Sequence, residues 1–115
     1  MLEISEHAVG HVTVLQLVGR LVMEDGDTAL CDHVDRLLRE TRAKIVLDLS
    51  DVTYVDSAGL GALVSKYVSV RRRGGDLRLV HPTARTTRLF EVTKLSSVFE
   101  VFASETDAVQ SFAAS

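Results

Sequence analysis

Between residues 45 and 70 the chain changes period once. An apolar run, Ile45, Val46 and Leu47 with Leu49 beyond Asp48, gives way after a polar turn to Leu60, Leu63, Val64, Tyr67 and Val68 at helical spacing. A run apolar at consecutive positions suits a strand covered on both faces, and so abrupt a change of period leaves room for a turn and little else. Arg71, Arg72 and Arg73, followed by Gly74 and Gly75, close the helix, because cations near a helix C-terminus oppose its dipole and glycine accepts the conformation that ends it. A further strand candidate follows at once in Leu77, Leu79 and Val80. Strand, helix and strand joined this tightly require a right-handed crossover between parallel neighbours.

The flanking sequence extends the same scheme. Leu2 and Ile4, then Val12, Val14, Leu15, Leu17 and Val18, predict two strands joined as a hairpin around Ala8, Val9 and Gly10. Leu30, Val34, Leu37 and Leu38 form the stripe of an amphipathic helix over 26–41. Pro82 and Thr83 open a third helix carrying Leu89, Phe90 and Val92, and Val101 with Phe102 form a short last strand. Ser104 and Asp107 carry an N-cap signature for a closing helix whose Ala108, Val109 and Phe112 face inward. The expected order is β-β-α-β-α-β-α-β-α. It describes one α/β domain over 1–115, with a mixed, mostly parallel β-sheet of about five strands and about four helices.

At 115 residues and 12.6 kDa the chain is too short for a two-lobed enzyme with a cleft between domains. Its composition, 46% hydrophobic and 25% charged, is that of a globular protein and excludes a disordered or fibrous one. The longest apolar stretch, 58–64, is far too short for a membrane span and contains two glycines, so no direct membrane insertion is expected. Glu3, Ser5 and Glu6 interrupt any leader, which makes the cytoplasm the expected location. Cys31 stands alone, excludes an internal disulfide, and is expected to pack on its helix. Net charge is −3, with five basic and nine acidic residues in the first fifty and eight and seven in the remainder. Low aromatic content and the acidic first half argue for a protein partner and no nucleic acid.

The segment 51–61 carries the chemistry. It lies at the carboxyl edge of a strand and the N-terminus of a helix, where backbone N–H groups collect. Ser57 is the expected N-cap, and a phosphate on its hydroxyl would meet a favourable dipole. Gly59 and Gly61 fall inside the first helical turns, where each costs about 1 kcal/mol relative to alanine, so something requires them. Close approach of another backbone is one reason, and packing of the helix on the sheet is another. Glu24, Asp25 and Asp27 read either as a solvated loop that caps the first helix or as an acidic contact for a partner.

The motif DSAGLG at 56–61, preceded by IVLDLSDVTYV at 45–55, resembles the hallmark of the STAS domain family, shared by anti-sigma-factor antagonists and sulphate transporters. The resemblance continues in LVGRL at 17–21, GGDLRLV at 74–80 and the segment 90–102. It implies a bacterial regulatory phosphoprotein of the kind used in the stress response and sporulation. In such proteins a serine, here Ser57 beside Asp56, is phosphorylated by an anti-sigma factor that is itself an ATP-dependent serine kinase. The unmodified protein would bind that kinase and free its sigma factor, phosphorylation would end the binding, and a serine phosphatase would reset Ser57. The implied partner surface is Asp56, Ser57, Ala58, Gly59, Leu60 and Gly61, with Glu24 and Asp25 beside it. The sequence departs from the family in having Val22 where an acidic residue is common. At Ala58 many relatives have a second hydroxyl. The alternative within the family is a non-catalytic subunit of a stress-signalling assembly or of an inner-membrane lipid-transport complex.

Other chemistries find little support. His7, His11, His33 and His81 are scattered, so no metal site is expected. Val55 stands where the first glycine of a G-x-S-x-G nucleophile elbow belongs, and no phosphate-loop lysine is present, so no catalytic residue and no cofactor are expected. Arg71, Arg72, Arg73, Arg78, Arg85 and Arg88 read as a solvated basic face.

Overall fold

The computed structural model describes residues 1–113. Strands β1 (Glu3–Val9) and β2 (Val12–Leu21) form an antiparallel hairpin that turns at Gly10, whose φ of 62° falls in the left-handed region. Helix α1 (Asp27–Arg39), β3 (Lys44–Val55), α2 (Ser57–Arg72), β4 (Asp76–Val80), α3 (Ala84–Val92), β5 (Val101–Phe102) and α4 (Glu105–Ala113) follow, with one 3-10 turn at Leu95–Ser97. The five strands lie in the order β1-β2-β3-β4-β5, and every pair after the hairpin is parallel. The expected architecture and element order are those observed.

Alternation along the strands divides the interior in two. Leu15, Leu17, Ile45, Leu47, Leu77 and Leu79 meet Leu30, Val34 and Leu37 of α1 and Leu63 and Val70 of α2. On the other face, Val12, Val14, Val46 and Val80 meet Ala108 and Phe112 of α4. Full burial of each such side chain contributes about 1.5–3 kcal/mol, so these stripes dominate the energetics of the fold. Phe90 of α3 stacks on Phe99, and Tyr67 meets Phe99 edge-on, both at 5.3 Å, closing the larger core near β5. Cys31 packs against that core, as expected of a helix residue. Among the described residues no helix is long and apolar enough to cross a membrane.

Three local expectations are corrected. β3 is covered on both faces only over its first half and runs on to Val55, with Asp51, Thr53 and Tyr54 exposed, because α4 does not reach that far. α1 begins at Asp27 behind Gly26, which has no side chain to cap it. Asp27, already inside the helix, instead accepts N–H bonds from Glu24 at 2.8 Å and Thr28 at 2.7 Å.

The edge strand β1 is tied to the body through one carboxylate. Glu6 lies 2.8 Å from His33 Nε2, 2.6 Å from Arg36 and 2.8 Å from Arg42. The bond with His33, with help from both guanidiniums, holds its carboxyl at about 2 although partial burial acts in the opposite direction.

Candidate functional site

The turn from β3 into α2 is built around Asp56. Its backbone is extended, its Oδ1 accepts the Gly59 N–H at 2.8 Å, and its own carbonyl accepts the Leu60 N–H at 2.9 Å. Asp56 is therefore the N-cap, which corrects the expectation that Ser57 fills that role. The choice is decided outside the helix. Asp56 Oδ2 also accepts the Met23 N–H at 3.0 Å, and the Asp56 N–H donates to the Leu21 carbonyl at 3.3 Å. One carboxylate thus fastens the β2–α1 loop to the start of α2, a service Ser57 with its single hydroxyl does not perform. The Gly59 N–H first, and the Met23 N–H second, hold the Asp56 carboxyl below the usual aspartate range.

Ser57 is thereby released from structural duty. It is the first residue of α2, it is exposed, and its hydroxyl has no hydrogen-bond partner among the described residues. The hydroxyl stands at the positive end of a helix that runs to Arg72.

The two glycines of the motif have different causes. Gly59 is buried, and a Cβ built on it would overlap the carbonyl oxygen of Leu21, so close approach of a backbone within the chain accounts for it. Gly61 is exposed and a Cβ there would meet nothing within 4 Å, so packing within the chain does not account for it. Ala58 is half-buried, and Leu60 packs partly against the core. Of the six motif residues, Ser57 and Gly61 are the exposed ones.

The acidic loop stands directly beside them. Glu24 is exposed and adopts a positive φ of 62°, while Asp25 is partly covered and pairs with the α-amino group of Met1 at 3.2 Å. Val22 is buried, which gives an apolar side chain a structural reason at that position, and its backbone carbonyl accepts N–H bonds from Asp25, Gly26 and Asp27. Met23, which sequence reasoning did not select, is 63% exposed while its N–H is held by Asp56. The available signal was a second apolar side chain, after Val22, at the head of an acidic loop.

The remaining candidates lie elsewhere. His33 belongs to the Glu6 cluster, His7 meets Glu105 at 3.0 Å, and His81 contacts the Ala103 carbonyl at 2.9 Å. Among the described residues no group of three or more His, Cys, Asp or Glu side chains is placed to hold a metal ion. A hollow of about 430 Å³, lined in part by Gly10, His11, Arg42 and Lys44, opens at the amino edge of the sheet, at the opposite end from Ser57.

Comparison with known proteins agrees with the sequence resemblance. The STAS domain family model matches residues 3–108. An anti-sigma-B factor antagonist of Listeria monocytogenes is 35% identical over 104 residues, covering 87% of this chain and 86% of that protein. An anti-sigma-B factor antagonist of Bacillus subtilis is 37% identical over 73 residues, covering 64% of this chain and 67% of that protein. The crystal structure of an anti-sigma factor antagonist from Mycobacterium paratuberculosis superposes with a TM-score of 0.84 at 22% identity, covering 96% of this chain and 93% of that one, a likeness of fold.

Proposed function

The chain belongs to the STAS domain family, and from that premise we propose that it is an anti-sigma-factor antagonist switched by phosphorylation of Ser57. Unphosphorylated, it binds an anti-sigma factor with serine kinase activity in the cytoplasm and frees the sigma factor that the kinase otherwise holds. The observation that carries this reading is the division of labour at the turn: Asp56 caps the helix, and the exposed Ser57 hydroxyl is left unbonded.

In the transfer, Ser57 Oγ attacks the γ-phosphorus of the kinase's ATP, a new P–O bond forms, and the bond to the bridging oxygen breaks with departure of ADP. The hydroxyl proton goes to a base on the kinase. Asp56 is a poor base, because both its oxygens accept N–H bonds and its carboxyl is held low. The phosphoryl group adds a charge of about −1.5 to −2 at a surface that must lose water on docking, and the Asp56 carboxylate beside it adds repulsion. A penalty of about 4 kcal/mol weakens the complex roughly a thousandfold. Hydrolysis by a serine phosphatase restores the hydroxyl. The chemistry is done to this protein, and no catalytic residue of its own takes part.

The test is a paired capture from lysate of the source organism, with the unmodified protein and Ser57→Asp as baits and mass spectrometry of what each retains. The expected result is a kinase-type anti-sigma factor held by the first bait and lost from the second, and purified kinase with ATP should phosphorylate the wild type and not Ser57→Ala. Capture of one large assembly or transporter by both baits would overturn the switch and make the protein a constitutive subunit.

A further inference from the structure

Helix α3 has two faces. Thr86 and Phe90 are buried, whereas Arg85, Arg88, Leu89 and Val92, at i, i+3, i+4 and i+7, line one side of an open groove. Tyr54 and Val55, the last residues of β3, line the other side, and the groove encloses about 350 Å³. Its walls leave apolar surface in water: Val92 is 71% exposed and Tyr54 42%. Arg85 lies over the Tyr54 ring at 5.5 Å, and Arg20 is the register partner of Tyr54 on β2.

The charge around this groove is unbalanced. Arg36, Arg42, Arg71 and Arg78 all pair with carboxylates of the chain. Among the described residues, the side chains of Arg20, Arg85 and Arg88 form no ion pair and no hydrogen bond, as holds also for Arg39 and Arg72 on α1 and α2. Glu91 is the one carboxylate that α3 itself sets against Arg85 and Arg88, although the chain as a whole carries −3. The carboxylates near the turn, Glu24 and Asp56, stand toward the β2–α1 loop, and Asp56 is already bonded there. The carboxyl end of the sheet is thus bipolar, negative toward that loop and positive toward α3, with Asp56 and Ser57 following on β3 between the two.

We propose that the groove between Tyr54 and α3 is a second docking surface, and that it takes a segment of the anti-sigma factor in which carboxylates flank an aromatic or branched apolar side chain. The proposal rests on the function argued above and names the part of that partner which Ser57 does not read. An apolar side chain fills the space between Tyr54, Leu89 and Val92, and the carboxylates meet Arg85, Arg88 and Arg20. Opposite signs on the two sides of the turn fix the orientation of the kinase and penalise partners with the wrong charge pattern. Phosphorylation of Ser57 adds charge to the turn and leaves this groove unchanged, so the groove contributes recognition of the partner while Ser57 contributes the switch.

The experiment measures affinity for the purified anti-sigma factor by calorimetry with the wild type, Ser57→Asp, Tyr54→Ala and Arg85→Glu/Arg88→Glu. The double reversal should weaken binding about 10- to 100-fold and flatten its salt dependence, and Tyr54→Ala should weaken it about 10-fold. Both variants should keep the wild-type thermal unfolding, because the side chains changed are exposed. If Ser57→Asp loses binding while both groove variants stay within about twofold of wild type, the groove proposal falls and the switch stands. If the wild type itself binds no anti-sigma factor, the function and the groove fall together. Sedimentation showing that the reversal acts by abolishing self-association would assign the groove to a second copy of the chain and overturn the proposal.

Discussion

The inner and outer sides of the first turn of α2 differ in what holds them in place. On the inner side Asp56 bonds Met23 and Gly59, Gly59 rests against the Leu21 backbone, and Leu63 is fully buried. On the outer side Ser57 has no partner and Gly61 faces open space. Six consecutive residues that read as one motif therefore answer to two demands. Asp56 and Gly59 build the platform, and Ser57 and Gly61 are displayed on it.

The strongest way to break this comparison is Gly59→Ala. If the inner side is as closed as described, the added methyl forces Leu21 and the β2–α1 loop to move and costs about 3 kcal/mol or more, read as a lower urea midpoint. A loss below about 1 kcal/mol would show that the platform is soft.

Glu6→Gln supplies a reference carboxylate that belongs wholly to the fold. The folded Glu6 carboxyl titrates at about 2 and the unfolded one at about 4.3, so its contribution is complete above about pH 5 and drains away as pH falls through the folded value. The variant should lose about 1–3 kcal/mol at pH 7, an allowance for partial exposure included, and its acid-unfolding profile should be flatter than the wild type's between about pH 5 and 2. Equal acid sensitivity in the two proteins would mean that the cluster with His33, Arg36 and Arg42 adds nothing.

The outer side should respond in the opposite direction. Gly61→Ala is expected to raise stability by about 0.5–1 kcal/mol, because alanine is the better helix former and nothing obstructs it. The same variant should weaken capture of the anti-sigma factor, which would give the glycine a reason outside the chain. A stabilised protein with undiminished affinity would leave Gly61 without one. The smallest effect belongs to Ser57→Ala, whose unfolding midpoint should stay within about 0.5 kcal/mol of wild type while phosphorylation is lost. A larger loss would return Ser57 to a capping role.

Much of this was legible in the chain. The hairpin, the four helices and the short last strand follow from periodicity, and the cap at Ser104, which accepts from Asp107 at 3.0 Å, from residue type. Pro82 and Thr83, expected to open α3, stand just before it, with Thr83 as the N-cap that accepts from Thr86 at 3.2 Å. The cap of α2 was misplaced by one residue because Asp and Ser are equally good caps, and the deciding bond comes from Met23, thirty-three positions away. The second half of β3 was legible only through the family resemblance, which ran the strand to Val55, because one of its faces meets water and breaks the apolar run. The groove escaped for a related reason. Arg85 and Arg88 read as an ordinary solvated face, and Val92 as part of the apolar side of its helix, until Tyr54 is brought opposite them.

β3 pairs with β4 only as far as Asp48 and Val80, so residues 49–55 have no ladder partner on that side, and α3 stands where a strand would otherwise continue. The overhang has an evolutionary consequence. A neighbouring strand is bound to its register, and a slip of one residue inverts every side chain, whereas a helix that touches the overhang through side chains alone is free to change sequence and tilt. Changes on α3 can therefore accumulate while the turn that starts at Asp56, anchored on β2 through the Leu21 carbonyl, keeps its geometry.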